Sequence, residues 1–106
     1  MELPTCKVIW DDIEWESPQP GLRQKARVNG RKRFRLVLLH PDYSPADWCE
    51  TGHIGLVLEG DMTVEFETGQ EAFKPGEGMF ILSGMLYRHK FHPGEGGVQL
   101  LLVEDS

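Results

Sequence analysis

Short apolar segments with a two-residue period dominate this chain, and turn residues separate them. In residues 62–67, apolar and polar side chains alternate, which is typical of a strand with one buried and one solvated face. Runs of a similar kind cover residues 33–40, 53–59, 71–73, 79–82, 86–92 and 98–103. Short strands that recur every ~8–12 residues with turns between them predict an all-β sandwich or barrel.

The N-terminal quarter of the chain has a weaker pattern. Residues 6–10 form a short β-prone run, and residues 20–26 offer at most one helical turn. Residues 11–24 are rich in Asp, Glu, Pro and Trp, which is typical of an extended arm or loop. Nothing marks an internal domain boundary. The 106 residues predict one domain, with an N-terminal strand or arm over residues 1–24 and a barrel over residues 25–106.

Composition narrows the range of partners. Lys and Arg number 11 against 17 Asp and Glu, a formal net charge of −6, which disfavours binding to the phosphates of a nucleic acid. The longest uncharged apolar run is far shorter than the ~20 residues that span a bilayer, and no secretory leader is visible. Two cysteines, Cys6 and Cys49, make no disulfide framework. We expect a cytoplasmic protein that binds neither nucleic acid nor membrane.

Two histidines lie on strand faces that the pattern predicts to be buried. His53 shares a face with Val57, and the opposite face of that strand is also apolar. His89 shares a face with Tyr87 and Phe91, and the opposite face is cationic. A buried imidazole needs a hydrogen-bond partner or a metal ion. Each histidine is therefore either a core residue bonded to a tyrosine hydroxyl or a backbone carbonyl, or a metal ligand.

Cys49 precedes His53 by four residues, in a predicted loop. Cysteine, histidine and carboxylate side chains are the usual ligands of transition metals. A Cys-x3-His pair with one distant histidine suggests such a site, and a small buried hydrophobe is the alternative for the cysteine. His40 and His92 lie beside prolines at predicted strand ends, so we expect them on the surface.

The segment from residue 41 to residue 91 resembles the two sequence motifs of the cupin superfamily. The first motif reads G-x5-H-x-H-x3,4-E-x6-G. With Gly60 aligned to its last glycine, Asp47, Cys49 and His53 occupy the positions of the two His and the Glu. The spacing of the motif is therefore present, whereas its ligand residues have changed.

The second motif reads G-x5-P-x-G-x2-H-x3-N. Gly76 and Gly84 match it, whereas Tyr87 stands at the metal-binding His and Phe91 at the Asn. The resemblance is to the single-domain cupins, and it implies a small double-stranded β-helix (jelly-roll) barrel. It also implies that the residues at the motif positions meet at one end of that barrel.

The resemblance further implies a metal site built on a different ligand set. His89 follows Tyr87 by two residues on the same predicted face, so Cys49, His53 and His89 together replace the standard ligands, with Asp47 or Tyr87 as a fourth partner. Three protein ligands with an open position are the arrangement of a catalytic metal. A cysteine in the set favours Zn or Fe, with Ni or Mn as the other candidate divalent transition metals.

Two kinds of function follow from the resemblance. The first is a metal-dependent enzyme that acts on a small polar, organic-acid or sugar-like molecule. The second is a non-catalytic sensor or structural cupin with a degenerate, metal-free pocket. The enzyme and the sensor include a small-molecule pocket, whose expected lining is Asp47, Trp48, Tyr87, Phe91 and Phe80, whereas side chains fill the pocket of a structural cupin. Convergence of the cysteine and two histidines within about 4 Å of one point would favour the metal, whereas a Tyr87 hydroxyl on His53 would favour a hydrogen-bonded core.

The second face of the His53 strand also predicts an assembly. Ile54, Leu56 and Leu58 lie on it and would be exposed in an isolated small barrel. Small cupins commonly dimerise, and the apolar run at residues 8–10 suits pairing with a partner. We therefore expect a homodimer.

Overall fold

The computed structural model describes residues 6–105, and these contain seven strands and two short 3₁₀ helices. The strands are β1 (Glu16–Gln19), β2 (Leu22–Asn29), β3 (Lys32–Leu39), β4 (His53–Phe66), β5 (Gly69–Phe73), β6 (Gly78–Ile81) and β7 (His89–Asp105). The 3₁₀ helices are η1 (Trp10–Asp12) and η2 (Met85–Tyr87). The predicted all-β class is confirmed. Among these residues, no helix has the length and apolar character needed to cross a membrane.

All strand pairs are antiparallel, in the order β1-β2-β3-β7-β4-β5, and β6 pairs with β4. The long strands β4 and β7 pair from Ile54 with Val103 to Phe66 with His89. Their register shifts twice, near Val57 and near Gly60, and such bulges bend a strand. The bend brings the opposite ends of β4 toward one another across the interior.

These two long strands take the place of four shorter predicted ones. The sequence predicts a break at Gly60 within β4, but the chain continues through it. Gly60 has a φ of +76°, and a Cβ there would overlap the carbonyl oxygen of Gly97. Glycine is the residue that adopts this backbone conformation without strain, so Gly60 here provides a bend where the sequence pattern predicts a turn.

The core lies on the face that alternation assigns to it. Inward side chains from five strands form one cluster, namely Leu22, Val37, Leu39, Val57, Met62, Val64, Met79, Ile81, Val98, Leu100 and Leu102. The other face of β4 and β6 keeps large apolar side chains in solvent, with Phe80 72% and Ile54 51% exposed. The predicted assignment of His53 and Val57 to the inner face, and of Ile54 and Leu56 to the outer face, is confirmed.

Three local predictions are wrong. Residues 20–26 form no helical turn, because the chain turns at Gly21 (φ +79°) and enters β2. Residues 6–9 have no regular structure and lead into η1, in place of the predicted short strand. The start of the strand predicted at residues 86–92 is replaced by η2, which follows Gly84 (φ +122°), and residues 89–92 belong to β7. The sheet also includes β1, within the predicted arm, and residues 1–5 of that arm lie outside the described residues.

Candidate metal centre

The three predicted ligands come from separate parts of the fold. His53 begins β4 and His89 begins β7. Cys49 lies in the loop before β4, and its backbone pairs with that of His89, with an N–H of each donating to the carbonyl of the other at 2.9 and 3.0 Å. The loop is therefore attached to the sheet at the residue that carries the thiol.

The structure brings these three side chains together. One ligand atom of each of Cys49, His53 and His89 lies within 4.8 Å of the other two, and the Cys49 Sγ lies 3.9 Å from the His53 Nε2. His53 and His89 are only 4% and 1% exposed, whereas Cys49 is half-buried. Zn–S bonds of ~2.3 Å and Zn–N bonds of ~2.0–2.1 Å place ligands of one ion about 3.5 Å apart. The cluster is close to that spacing.

Both imidazoles are oriented through their Nδ1 atoms. The His89 Nδ1 donates to the carbonyl oxygen of Tyr87 at 3.0 Å. The His53 Nδ1 lies 2.5 Å from the Glu104 Oε2, as an ionic contact whose angle is outside that of a well-aligned hydrogen bond. Each contact leaves Nε2 directed at the cluster, and the buried His89 Nε2 has no hydrogen-bond partner among the described residues. Metal-binding histidines are characteristically held in this way.

Glu104 is the functional residue that sequence reasoning missed. Its side chain is fully buried, and it accepts hydrogen bonds from Arg33 at 2.9 Å and from Arg35 at 3.1 Å. Arg35 also donates to the Gln24 Oε1 at 2.7 Å. The available signal was the alternation of the last strand, because the inward face that carries Leu102 continues to Glu104.

The ionisable groups of the site shift one another's pKa values. Contacts with His53 and His89 lower the pKa of Cys49 to about 5, against the opposing effect of burial. Burial opposes protonation of His53, but its contacts with Cys49 and Glu104 outweigh burial and raise its pKa. Burial also opposes ionisation of Glu104, yet His53 and the two arginines hold its pKa at about 2. Cys49 is therefore a thiolate and Glu104 a carboxylate at neutral pH.

The donor set fits a transition metal. A thiolate and two imidazole nitrogens are ligands that Zn and Fe accept. The unpartnered His89 Nε2 is a buried acceptor without a donor, and a metal ion would satisfy it. Metal binding requires neutral imidazoles. It would therefore displace the additional proton that His53 carries in its imidazolium form, which the contacts with Cys49 and Glu104 favour.

Beside the cluster is a cavity of about 380 Å³. Of the five residues predicted to bind a ligand, Asp47, Trp48 and Phe91 line it. Tyr87 and Phe80 lie outside it. Tyr87 is in η2 and is 43% exposed, and its contribution to the site is the backbone carbonyl. Phe80 points to the outer face of the sheet.

The two remaining histidines are on the surface, as the sequence predicts. His40 lies 2.6 Å from Asp42, and His92 lies 2.8 Å from Glu65. Both imidazoles are largely exposed. They are therefore useful as controls for the buried pair.

Comparison with known proteins gives structural matches alone. Neither a protein-family model nor a curated protein sequence matches the chain. The polyketide cyclase RemF from Streptomyces resistomycificus is 25% identical with a TM-score of 0.77, over 96% of this chain and 80% of RemF. KdgF from Halomonas sp. is 19% identical with a TM-score of 0.75, over 92% of this chain and 91% of KdgF.

A third match is to a protein of known fold family. An RmlC-like cupin from Shewanella frigidimarina has a TM-score of 0.71 at 14% identity, over 99% of this chain and 94% of that protein. Low identity with high coverage and these TM-scores means that the overall fold is shared while most side chains differ. The chain thus has the fold of the cupin superfamily, in the form of a small cupin.

Proposed function

We propose that this protein binds a divalent transition metal through Cys49, His53 and His89 and presents an open coordination position to a small molecule in the adjoining cavity. The observation that supports this most strongly is the unpartnered, buried His89 Nε2, placed within 4.8 Å of the other two donors. The donor set favours Zn or Fe over harder ions. When bound, the metal supplies a Lewis acid that polarises an oxygen of the ligand.

Each residue of the site has a separate role in this proposal. Glu104 and the Tyr87 carbonyl hold the two imidazoles with Nε2 toward the metal. Cys49 supplies the negative ligand. Phe91 and Trp48 form part of the cavity wall. An enzymatic role is consistent with the open position, and a sensor or structural role belongs to the alternative in which the pocket holds no metal.

The direct test is metal content. Tag-free protein is loaded with Zn²⁺ or Fe²⁺, desalted and analysed by elemental mass spectrometry, beside Cys49→Ala, His53→Ala and His89→Ala. We expect near one equivalent in the wild type and loss in all three variants. His92→Ala is the matched control, because it removes a surface histidine and should retain the metal. Absence of metal from the reloaded wild type would favour the metal-free alternative.

We also propose that the protein is a homodimer. The outer face of β4 and β6 carries the exposed side chains of Ile54, Leu56 and Phe80. Contiguous apolar surface of this kind is typical of an interaction site. A second copy of the chain is the occupant that we expect.

A further inference from the structure

We propose that the ligand of this site is a small carboxylate with an apolar body, whose carboxylate takes the open coordination position. The inference rests on the proposed metal centre. It separates an organic acid from a sugar, which the sequence left open. It is drawn from the charge of the buried groups and from the walls of the cavity.

The buried groups carry excess positive charge once a divalent metal is bound. Glu104 is the one buried carboxylate at the site, and the mostly buried guanidinium of Arg35 is paired with it. Arg33 also pairs with Glu104, but its side chain is 36% exposed, so solvent screens its charge. The Cys49 thiolate offsets half of the charge of a divalent ion. Among the buried groups and the ion, positive charges therefore exceed negative charges by one. Burial of unbalanced charge is costly, so an anionic ligand at the open position is favoured over a neutral one.

The cavity walls favour an apolar ligand body. Leu22, Val37, Leu39 and Leu102 belong to the core cluster and line the cavity, and Phe91 packs against that cluster. A sugar hydroxyl placed against these side chains would lose its hydrogen bonds to water, at a cost of ~1–3 kcal/mol each. A hydrocarbon or aromatic body would instead gain from burial there.

The polar groups of the cavity suit one carboxylate. Tyr43 lines the cavity, and its phenol hydroxyl is a hydrogen-bond donor. Lys90 also lines the cavity, and its ammonium lies 4.9 Å from the centre of the Trp48 ring. Asp47 also lines the cavity, but it is exposed, so solvent screens its negative charge. Two donors in the lining can bind a carboxylate, whereas a polyhydroxylated ring needs many more. The volume of about 380 Å³ is near the lower end of the ~300–1,000 Å³ of small-molecule sites.

The test compares probes of one shape and different charge. Zn²⁺-loaded protein of measured metal content is titrated calorimetrically with phenylacetate, phenylacetamide, acetate and glucose. We expect phenylacetate to bind at least tenfold more tightly than phenylacetamide, and this difference measures the effect of the negative charge of the ligand. We also expect phenylacetate to bind at least tenfold more tightly than acetate, and this difference measures the effect of contact between the phenyl ring and the apolar cavity wall. Glucose should not bind.

Two variants locate the carboxylate. Lys90→Met and Tyr43→Phe should each weaken phenylacetate binding about fivefold or more and leave phenylacetamide unchanged. Lys74→Met, an exposed lysine outside the cavity, should change neither. If neither Lys90→Met nor Tyr43→Phe weakens phenylacetate binding, the placement of the carboxylate is overturned.

The outcomes separate the two proposals. A loaded wild type that holds metal but binds phenylacetamide or glucose as tightly as phenylacetate overturns the ligand class and leaves the metal centre standing. Wild type that holds no metal after loading overturns the metal centre, and this inference with it. Metal content is measured on each titrated sample, so that the two failures are distinguished.

Discussion

The Nδ1 atom of His53 lies 2.5 Å from the Oε2 atom of Glu104, and both side chains are buried. Two arginines hold Glu104 from the other side. The imidazole therefore has one nitrogen fixed by a carboxylate and the other directed at Cys49. Carboxylate–histidine–metal arrangements of this kind orient the ring and raise the basicity of the ligand nitrogen.

Replacing Glu104 with Gln should weaken metal binding about 10- to 100-fold, the usual effect of losing a carboxylate that holds a ligand histidine. The amide retains the size of the side chain but removes the negative charge that favours the His53 Nδ1 proton. The measurement is competition with a chelator of known affinity. Asp105→Asn is the matched control, since that neighbouring carboxylate forms an exposed ion pair with Lys32. Equal affinities for wild type and Glu104→Gln would contradict the positioning role.

The same carboxylate should make the folded state sensitive to acid. The pKa of Glu104 is about 2 in the folded protein against an ordinary value of 4.5, so the unfolded chain binds more protons in that window. Its contribution to stability is complete above pH 4.5 and is lost as the pH falls toward 2. At ~1.4 kcal/mol per pH unit, this window limits the contribution to about 3 kcal/mol.

Unfolding of metal-free wild type and Glu104→Gln by denaturant at several pH values measures this contribution. The difference in unfolding free energy between the two proteins should be larger at pH 5 than at pH 3. The comparison cancels the other carboxylates, which both proteins share. A gap that stays constant across this range would show that Glu104 titrates normally.

Cys49 should ionise far below an ordinary thiol in the metal-free protein. Contacts with His53 and His89 lower its pKa to about 5 from 9.0, so thiolate forms as the pH rises through about 5. Thiolate absorbance at 240 nm in a Cys6→Ser background follows Cys49 alone. In the same background, His53→Gln removes the largest lowering contact and should move the midpoint to higher pH. A midpoint near 9 in the parent would contradict the contact geometry.

Much of the fold could be predicted from the alternation of side chains. Strand faces depend on a two-residue period that the sequence displays directly, so the inner position of His53 and the outer position of Ile54 followed from it. Turn residues were less informative. Glycine permits both a turn and a bend within a strand, and only the register with Val98 shows that Gly60 belongs to a continuous β4.

The site could be predicted in part. Cys49, His53 and His89 were expected together because of their spacing and the cupin resemblance. Glu104 was missed because it contacts His53 across a sequence separation of 51 residues, and a terminal acidic residue resembles a solvated strand end. Tyr87 was expected to contribute its ring, but the 3₁₀ turn η2 replaces the predicted alternation and leaves only its carbonyl at His89.

The outer face of the sheet carries an apolar row that crosses four strands. Strand register aligns Phe34 with Val103, Val103 with Ile54, and Ile54 with Phe80. The N-terminal segment covers one end of this row, where the Trp10 ring lies 5.0 Å from that of Phe34. The other end, at Ile54 and Phe80, is exposed. Association of two copies through this end would remove that apolar surface from water.

Phe80→Glu should therefore convert a homodimer into a monomer, because it places a charge where two apolar faces would meet. Light scattering after size-exclusion chromatography measures the mass, which is 12.1 kDa for one chain. Leu86→Glu is the matched control: Leu86 is 89% exposed, but it lies in η2 and not on the sheet face, so that variant should remain dimeric. A wild type that elutes as a single 12 kDa species at micromolar concentration would contradict the dimer. Loss of association in both variants would place the interface elsewhere.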